Sequence, residues 1–288
     1  MATFFLFLSI VLSSCRNILS KQVSETKFGT RAFFQCQGIL FLCGTAALLI
    51  FGNVSWEAPA LLILMLALMY GMCLILGQWC YTIALSRGNI GTCSTVYSLG
   101  FILPTLSGAV FWREPFSVMD GLGVMCAVFA VAASGYRKRS GVDSGKSSYI
   151  APLVVAMIAS GGLGIVQKLQ QKCPYAEQKS LFLLIAFLLS AVISLIFAAF
   201  SRRETPHPHH PTRLASASGA GICFGCCNLL NTTLAGLLPS AVFFPTLNIG
   251  VILLSLLLSI CIFKEHSSKK DFAVLLLGGL SILLLNLT

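Results

Sequence analysis

The chain contains an internal repeat at a shift of 151 positions, and each copy carries five apolar runs of membrane length. The segment 112–114 aligns without a gap with 263–265, and Asp120 aligns with Asp271. A span needs about 20 apolar residues, so ten spans with short loops use nearly all of the 288 residues. Because five is odd, the second copy must enter the bilayer inverted relative to the first, an arrangement typical of secondary transporters.

The composition predicts an all-α integral membrane protein. Hydrophobic residues make up 57% of the chain and charged residues 10%, against about 25% charged residues in a soluble domain. The net charge of +10 is scattered through short loops, which indicates the cytoplasmic side of a membrane and not a nucleic-acid partner. The first apolar run begins at Ala2 without a preceding basic segment, so we expect a retained span and not a signal peptide.

The apolar runs divide the chain into two five-helix repeats, residues 1–137 and 149–288, joined by a basic polar linker at 138–148. The predicted spans are 3–20, 30–51, 59–85, 90–112, 118–136, 149–170, 179–201, 213–236, 240–263 and 271–287. Of the 19 Lys and Arg residues, 15 lie in or beside the odd-numbered loops. This bias predicts cytoplasmic odd-numbered loops and both termini outside.

Several runs carry small residues at every fourth position, a spacing that lets helix backbones approach closely in lipid. The two rows are Ala156, Ser160 and Gly164, and Ala215, Gly219, Cys223 and Cys227. Both rows predict tight helix packing, and they can also serve as sliding surfaces. Pro104 and the pair Gly161-Gly162 are candidate hinges.

The order of motifs along the chain resembles the EamA-type modules of the drug/metabolite transporter superfamily. The resemblance rests on the segment 81–104, on Phe111-Trp-Arg-Glu-Pro-Phe-Ser117 and on Gly121-x-Gly123, with a second, looser set at 234–240 and 263–268. The second copy departs from the first, with Ser255 in place of Pro104 and Val274 in place of Gly123. The resemblance implies a basket of ten helices, a central cavity and alternating access. It also implies cytoplasmic termini, which is the opposite of the charge count.

Uncharged polar residues within the apolar runs are the candidates for a substrate cavity, because such groups need partners or water inside a membrane. They are Gln78, Trp79, Tyr81, Ser94, Tyr97, Ser98, Asn228, Asn231, Thr246 and Asn248. Tyr97 and Asn248 are equivalent under the repeat. Hydrogen bonding between helices without any ligand is the competing interpretation.

Charged residues lie at the ends of the runs. Arg16 and Lys168 lie near the same depth of the two repeats and can contact a substrate anion or extend to the lipid headgroups. Glu114 and Glu265 recur at equivalent positions and can gate the carrier, cap a helix or pair with the next helix. All nine acidic residues lie in loops or at span ends, which argues against exchange of a cationic drug at a mid-membrane carboxylate.

The sequence offers little for catalysis or for a metal. The Cys223-x-x-Cys226-Cys227 cluster has no second cysteine pair, and the four histidines lie in loops, so we expect neither a metal nor a cofactor. A membrane enzyme would need a nucleophile and base within a span, which the sequence does not offer, and we expect a protein that is not an enzyme.

The sequence therefore predicts a secondary transporter in the cytoplasmic membrane. It would move small organic metabolites, either amino-acid-like compounds or related amphiphiles, by alternating access. Export is the expected direction. The expected partners are a small-molecule substrate, the lipid bilayer and a coupling ion, with a monomer or homodimer as the assembly. An exporter of drugs or cationic amphiphiles is the alternative, and a non-transporting structural or sensory membrane protein is a more distant one.

Overall fold

The structure is a computed structural model that describes residues 1–24, 30–54, 58–87, 93, 96–135, 149–201, 210–263 and 269–286. Within these ranges the regular structure is helical. The helices are α1 (Ala2–Ser24), α2 (Thr30–Phe51), α3 (Leu61–Arg87), α4 (Ile102–Trp112), α5 (Val118–Gly135), α6 (Ile150–Lys172), α7 (Lys179–Phe200), α8 (His210–Leu237), α9 (Ser240–Phe263) and α10 (Lys269–Asn286). Short 3₁₀ turns at Leu99–Phe101 and Ala176–Gln178 precede α4 and α7.

The fourth predicted span, 90–112, is helical over its described part from residue 96 onwards. A 3₁₀ turn at Leu99–Phe101 interrupts the α-helical geometry, which resumes at Ile102. Pro104 follows shortly after this turn, within α4. Pro245 lies inside α9. The predicted linker at 138–148 lies outside the described residues.

The surface of the helices is apolar, as expected for a protein whose solvent is lipid. Among the described residues, six helices are long and apolar enough to cross a membrane: α1, α2, α3, α6, α7 and α8. On α3 the exposed positions Leu61, Met65, Met69, Met72 and Leu76 follow one another at helical spacing and form a continuous apolar stripe. The chain is thus an all-helical, multi-pass integral membrane protein.

The described chain divides into two compact units, and each draws on both halves of the sequence. Unit 1 contains residues 1–72 and 169–234, and unit 2 contains residues 73–168 and 235–288. The boundaries fall inside α3 and near the carboxyl ends of α6 and α8. Compact packing therefore does not follow the two sequence repeats.

In unit 1, α2 packs antiparallel along α7. Phe34 near the start of α2 stacks on Phe197 near the end of α7, with ring centroids 5.2 Å apart. At the opposite end, Gly52 lies against Ser180. Between these points a Cβ on Gly38 would come within 2.6 Å of Leu195, so a larger residue would require the Leu195 side chain to move.

The glycines of α8 bring its backbone against α2. A Cβ on Gly221 would lie 2.2 Å from the Leu40 carbonyl oxygen, and one on Gly225 would lie 2.5 Å from the Gly44 carbonyl oxygen. This row was not among the predicted small-residue rows. The predicted row 215–227 faces elsewhere, and its Gly219 contacts Leu19 of α1. Both rows are packing surfaces, because α8 has neighbours on two sides.

In unit 2, α6 makes a similar approach to the turn before α4. A Cβ on Gly161 would lie 2.6 Å from the Gly100 carbonyl oxygen, and one on Gly164 would lie 2.8 Å from Pro104. The predicted row 156–164 is therefore confirmed as a packing surface. Gly161, a candidate hinge, is part of the same contact.

The helices α5 and α10 also pack on each other in unit 2. Gly123, early in α5, lies against Leu285, late in α10. The Ser281 hydroxyl donates a 2.8 Å hydrogen bond to the Gly123 carbonyl oxygen. An early residue thus meets late residues, as in an antiparallel pair.

We predict that Gly225→Ala destabilises the protein, because the new methyl group would overlap the Gly44 carbonyl oxygen at 2.5 Å. Overpacking of this kind costs about 1–3 kcal/mol. The matched control is Gly279→Ala on α10, whose Cβ would meet no atom within 4 Å and which should gain up to about 1 kcal/mol of helix propensity. Thermal unfolding in detergent measures both. Equal midpoints for Gly225→Ala and wild type would contradict the packing described here.

Candidate functional site

A buried ion pair joins the loop after α4 to α6 in unit 2. The Lys168 ammonium lies 2.6 Å from Oε1 of Glu114, and the two side chains are 1% and 13% exposed. The other carboxylate oxygen, Oε2, accepts a 2.7 Å hydrogen bond from the Ser240 backbone N–H. The ammonium also donates a 3.0 Å hydrogen bond to the Leu238 carbonyl oxygen. Each charge therefore has an ionic partner and a backbone partner.

The chain reaches this arrangement through an unusual turn at the end of α4. Arg113 adopts a left-handed conformation with φ of 51°, which caps α4 and reverses the chain. The Glu114 N–H then bonds the Gly108 carbonyl oxygen at 3.2 Å. A Cβ on Gly108 would lie 2.6 Å from Oε2 of Glu114 and 2.4 Å from Cβ of Ser240. Gly108 therefore leaves the space in which the carboxylate meets α9.

The two charges match the ends of two consecutive helices. Ser240 is the first residue of α9, and α8 ends at Leu237, one residue before Leu238. A carboxylate is stabilised at a helix N-terminus and a cation near a helix C-terminus. Burial alone would raise the pKa of Glu114, but the hydrogen bond and charge of Lys168 and the Ser240 N–H outweigh it and hold that pKa below its ordinary value.

The contacts of Glu114 differ from those expected from its sequence neighbours. The next helix, α5, is capped instead by Ser117 and Asp120, through hydrogen bonds of 2.8 and 3.0 Å in a reciprocal capping box. The adjacent Arg113 is exposed, and Lys168 is the ionic partner of Glu114. The snorkelling alternative for Lys168 is wrong, because its side chain is buried. Glu265 lies outside the described residues.

Two of the predicted cavity residues form an aromatic pair in unit 2. The rings of Tyr81 and Tyr97 lie 4.6 Å apart at 39°, beside a small apolar cluster that contains Ala84, Cys93 and Leu153. Both rings are partly buried. An offset pair of this kind presents flat apolar area together with phenolic hydroxyl groups.

On α9, Thr246 and Asn248 differ in their hydrogen bonding. The Thr246 hydroxyl oxygen is buried and has no hydrogen-bond partner among the described residues. The Asn248 amide donates to the Phe244 carbonyl oxygen of its own helix at 2.9 Å, which leaves its side-chain oxygen for another donor. A buried hydroxyl without a partner is unfavourable in a dry interior.

The two predicted asparagines of α8 belong to unit 1, where they bond other helices. Asn228 accepts a hydrogen bond from the hydroxyl of Tyr70, and Asn231 accepts one from Ser9. Tyr70 is fully buried. For these two residues the structure supports the competing interpretation, which is hydrogen bonding between helices. The partners Tyr70 and Ser9 were missing from the predicted set, although Ser9 precedes Arg16 by seven residues and so shares its helix face.

The remaining predicted residues are less constrained. Gln78 and Ser98 are partly buried, and Trp79 is 38% exposed. Ser94 lies outside the described residues. Within unit 2 the structure thus brings Tyr81 and Tyr97 together, and the single cavity that would unite the whole set remains a prediction.

We predict that Glu114→Gln destabilises the protein, because it leaves the Lys168 ammonium buried without a counter-charge. Removing one partner of a buried pair typically costs about 3–5 kcal/mol. The double variant Glu114→Gln/Lys168→Met should recover much of that loss, since it buries no charge. A double-mutant cycle of unfolding in mixed micelles measures the coupling. Additive single effects would show that the pair contributes nothing.

A second prediction concerns acid stability. The folded pKa of Glu114 is lowered, so its stabilisation is present above the unfolded carboxyl pKa of about 4.3 and is lost as pH falls through the lower folded pKa. The difference in unfolding midpoint between wild type and Glu114→Gln should stay constant from neutral pH to about pH 5 and shrink at lower pH. A difference that grows on acidification would contradict the assigned sign.

Comparisons with known proteins give a partial match in sequence and a match in fold over nearly the whole chain. No protein-family model matches the chain. Over 83 residues, 29% of this chain, the sequence is 33% identical to a probable 4-amino-4-deoxy-L-arabinose-phosphoundecaprenol flippase subunit, ArnE, of Sodalis glossinidius (strain morsitans), and the match spans 66% of that subunit. A crystal structure of a protein with 16% identity aligns over 99% of this chain and 96% of its own, with a TM-score of 0.76. That likeness shows a shared fold. The similarity to the flippase subunit and the apolar helices together support a multi-pass membrane protein.

Proposed function

We propose that the chain is a secondary transporter that carries small organic amphiphiles across the cytoplasmic membrane by alternating access. The observation that carries the proposal is the similarity to a flippase subunit, because a flippase moves its substrate across a bilayer. The chain lacks the Gly-x-x-x-x-Gly-Lys-Ser/Thr motif of P-loop ATPases. An ion gradient, exchange or the gradient of the substrate itself would therefore supply the energy.

Helix packing within the units supports an inverted repeat of EamA type with ten spans. Under the 151-residue shift, α2 corresponds to α7 and α5 corresponds to α10. The members of each pair pack on each other, and α2 and α7 run antiparallel. Contact between equivalent helices of opposite direction is what a pseudo-twofold axis in the membrane plane produces.

The aromatic pair Tyr81–Tyr97, together with Thr246 and Asn248, is the proposed binding surface in unit 2. Tyrosine rings offer apolar faces to the hydrocarbon part of an amphiphile. The Thr246 hydroxyl lacks a partner among the described residues, and a polar substrate group would supply one. Amino-acid-like metabolites fit this combination, and export is the preferred direction.

A second candidate function is the flipping of a lipid-linked sugar phosphate. The related subunit is described as part of a flippase for 4-amino-4-deoxy-L-arabinose-phosphoundecaprenol, which supports this candidate. Export of cationic drugs has less support, because the acidic residues lie in loops or at helix ends and cationic substrates usually require an intramembrane carboxylate.

Transport in proteoliposomes tests the proposal. We expect wild-type protein to accumulate at least one radiolabelled member of an amino-acid and amine panel, or to scramble a fluorescent polyprenyl phosphate. Asn248→Leu and Tyr97→Ala should abolish that activity while the unfolding midpoint is retained. The matched control Met72→Leu, at a position 58% exposed on α3, should leave it unchanged. Folded protein that moves none of these compounds would contradict the proposal.

The inverted repeat predicts the sides on which two equivalent serines lie. Ser117 and Ser268 are related by the 151-residue shift, so single cysteines at these positions should label from opposite sides of the membrane. The assay uses Ser117→Cys and Ser268→Cys in a background in which the 12 native cysteines are replaced, with an impermeant maleimide added to oriented vesicles. Labelling of both from one compartment would exclude inverted repeats.

A further inference from the structure

A polar seam runs between α1 and α8 in unit 1. Ser9 donates to Asn231, the Ser13 side chain lies beside the thiol of Cys227, and Arg16 lies over the ring of Phe224. These contacts advance by four and three residues along α1 while they retreat by four and three along α8. Such steps follow one face of each helix, so the two helices run antiparallel and Arg16 lies at one end of the seam.

Arg16 differs from the rest of the seam because its charge has no ionic partner in the described part of the chain. Its guanidinium carbon lies 3.9 Å from the centre of the Phe224 ring. Its Nε atom is buried and has no hydrogen-bond acceptor among the described residues. Phe224 covers one face of the guanidinium plane, and the N–H donors, which lie in that plane, face no carboxylate of a described residue.

An arginine without an acceptor is unfavourable at the edge of an apolar helix bundle. A charged donor that leaves water needs hydrogen bonds in return, and an arginine within a membrane span is expected to face a partner or a water-filled cavity. The Phe224 ring stabilises the cation through its face but accepts no in-plane hydrogen bond. The described residues therefore supply no hydrogen-bond acceptor for the Nε–H of Arg16.

A cation beside the equivalent place in the second repeat has a partner within the chain. Arg16-Asn17 aligns with Gln167-Lys168 under the 151-residue shift, so Lys168 lies one position after the equivalent of Arg16. Lys168 is neutralised by Glu114 at 2.6 Å, whereas no carboxylate of a described residue pairs with Arg16.

We propose that Arg16 binds the anionic group, a carboxylate or a phosphate, of the transported amphiphile. This inference rests on the proposed function and narrows its substrate class to compounds that carry a negative charge. The guanidinium fork suits both groups, because its parallel N–H donors match two oxygens of a carboxylate or phosphate. The Phe224 ring holds the guanidinium plane in place from behind.

The test is anion-dependent thermal stabilisation of the purified full chain in detergent. The probes are inorganic phosphate, acetate and mixed micelles that contain phosphatidic acid, each at an ionic strength held constant with chloride so that screening does not vary. An anion that binds only the folded protein raises the unfolding midpoint by mass action. We expect a saturable rise for wild type with at least one probe.

The variants are Arg16→Gln, Arg16→Met and Arg16→Lys, with Arg31→Gln on α2 as the matched loss of a positive charge in the same unit. We expect Arg16→Gln and Arg16→Met to weaken the apparent affinity at least tenfold, Arg16→Lys to weaken it less, and Arg31→Gln to behave as wild type. A response to phosphate or acetate would identify a soluble anion. A response confined to phosphatidic acid would identify a lipid phosphate.

Two results would overturn the proposal. One is wild-type affinity in Arg16→Gln and Arg16→Met, or no stabilisation by any probe. The other is failure of both variants to fold without anion, which would mean that the guanidinium is satisfied within the chain. Transport separates this inference from the proposed function. Arg16-dependent anion binding by a protein that transports nothing would contradict the proposed function but not the anion site. Transport by Arg16→Met with unchanged affinity for the anion would contradict the anion site but not the proposed function.

Discussion

Helices in lipid gain little from burying apolar side chains against one another, because the surrounding hydrocarbon is equally apolar. Association must then come from close backbone approach and from polar groups that find partners inside the protein. Both appear throughout this chain. Gly221 and Gly225 bring α8 against α2, and Gly161 brings α6 against the turn before α4. Large apolar side chains also face outwards, as the exposed stripe on α3 shows.

The same requirement explains why the buried charges of Glu114 and Lys168 in unit 2 are matched. Glu114 and Lys168 neutralise each other, and each also bonds one end of the chain reversal between α8 and α9. The site thus gathers three separate parts of the sequence. Within unit 1, hydrogen bonds between neutral residues, such as Tyr70 with Asn228, provide partners for the buried polar groups. The polar residues in such pairs therefore stabilise the structure. Substrate binding must use polar groups that do not belong to these pairs.

The helical architecture could be predicted from sequence, while the partners of its polar groups could not. Runs of apolar residues set helix limits such as 30–51 and 240–263, which the structure reproduces, because the need to bury backbone groups in lipid acts locally. Within the fourth predicted span, the apolar run gave no sign of the 3₁₀ turn at Leu99–Phe101 that precedes Pro104. The partners of Glu114 lie 54 and 126 positions away, and no local pattern encodes them. The glycine row at 221 and 225 was missed because helix spacing alone does not say which face meets a neighbour.

The ion-pair site tolerates little increase in side-chain size at Gly108. The volume where its side chain would stand is already filled by a carboxylate oxygen of Glu114 and by the first residue of α9. Gly108, Glu114 and Ser240 thus meet at one point, although Ser240 is distant in sequence from the other two. A methyl group on residue 108 would displace the other two residues. A change that looks conservative at this position should therefore mimic the loss of Glu114 itself. Because Gly108 has no side chain, it provides the space that the charged carboxylate of Glu114 occupies.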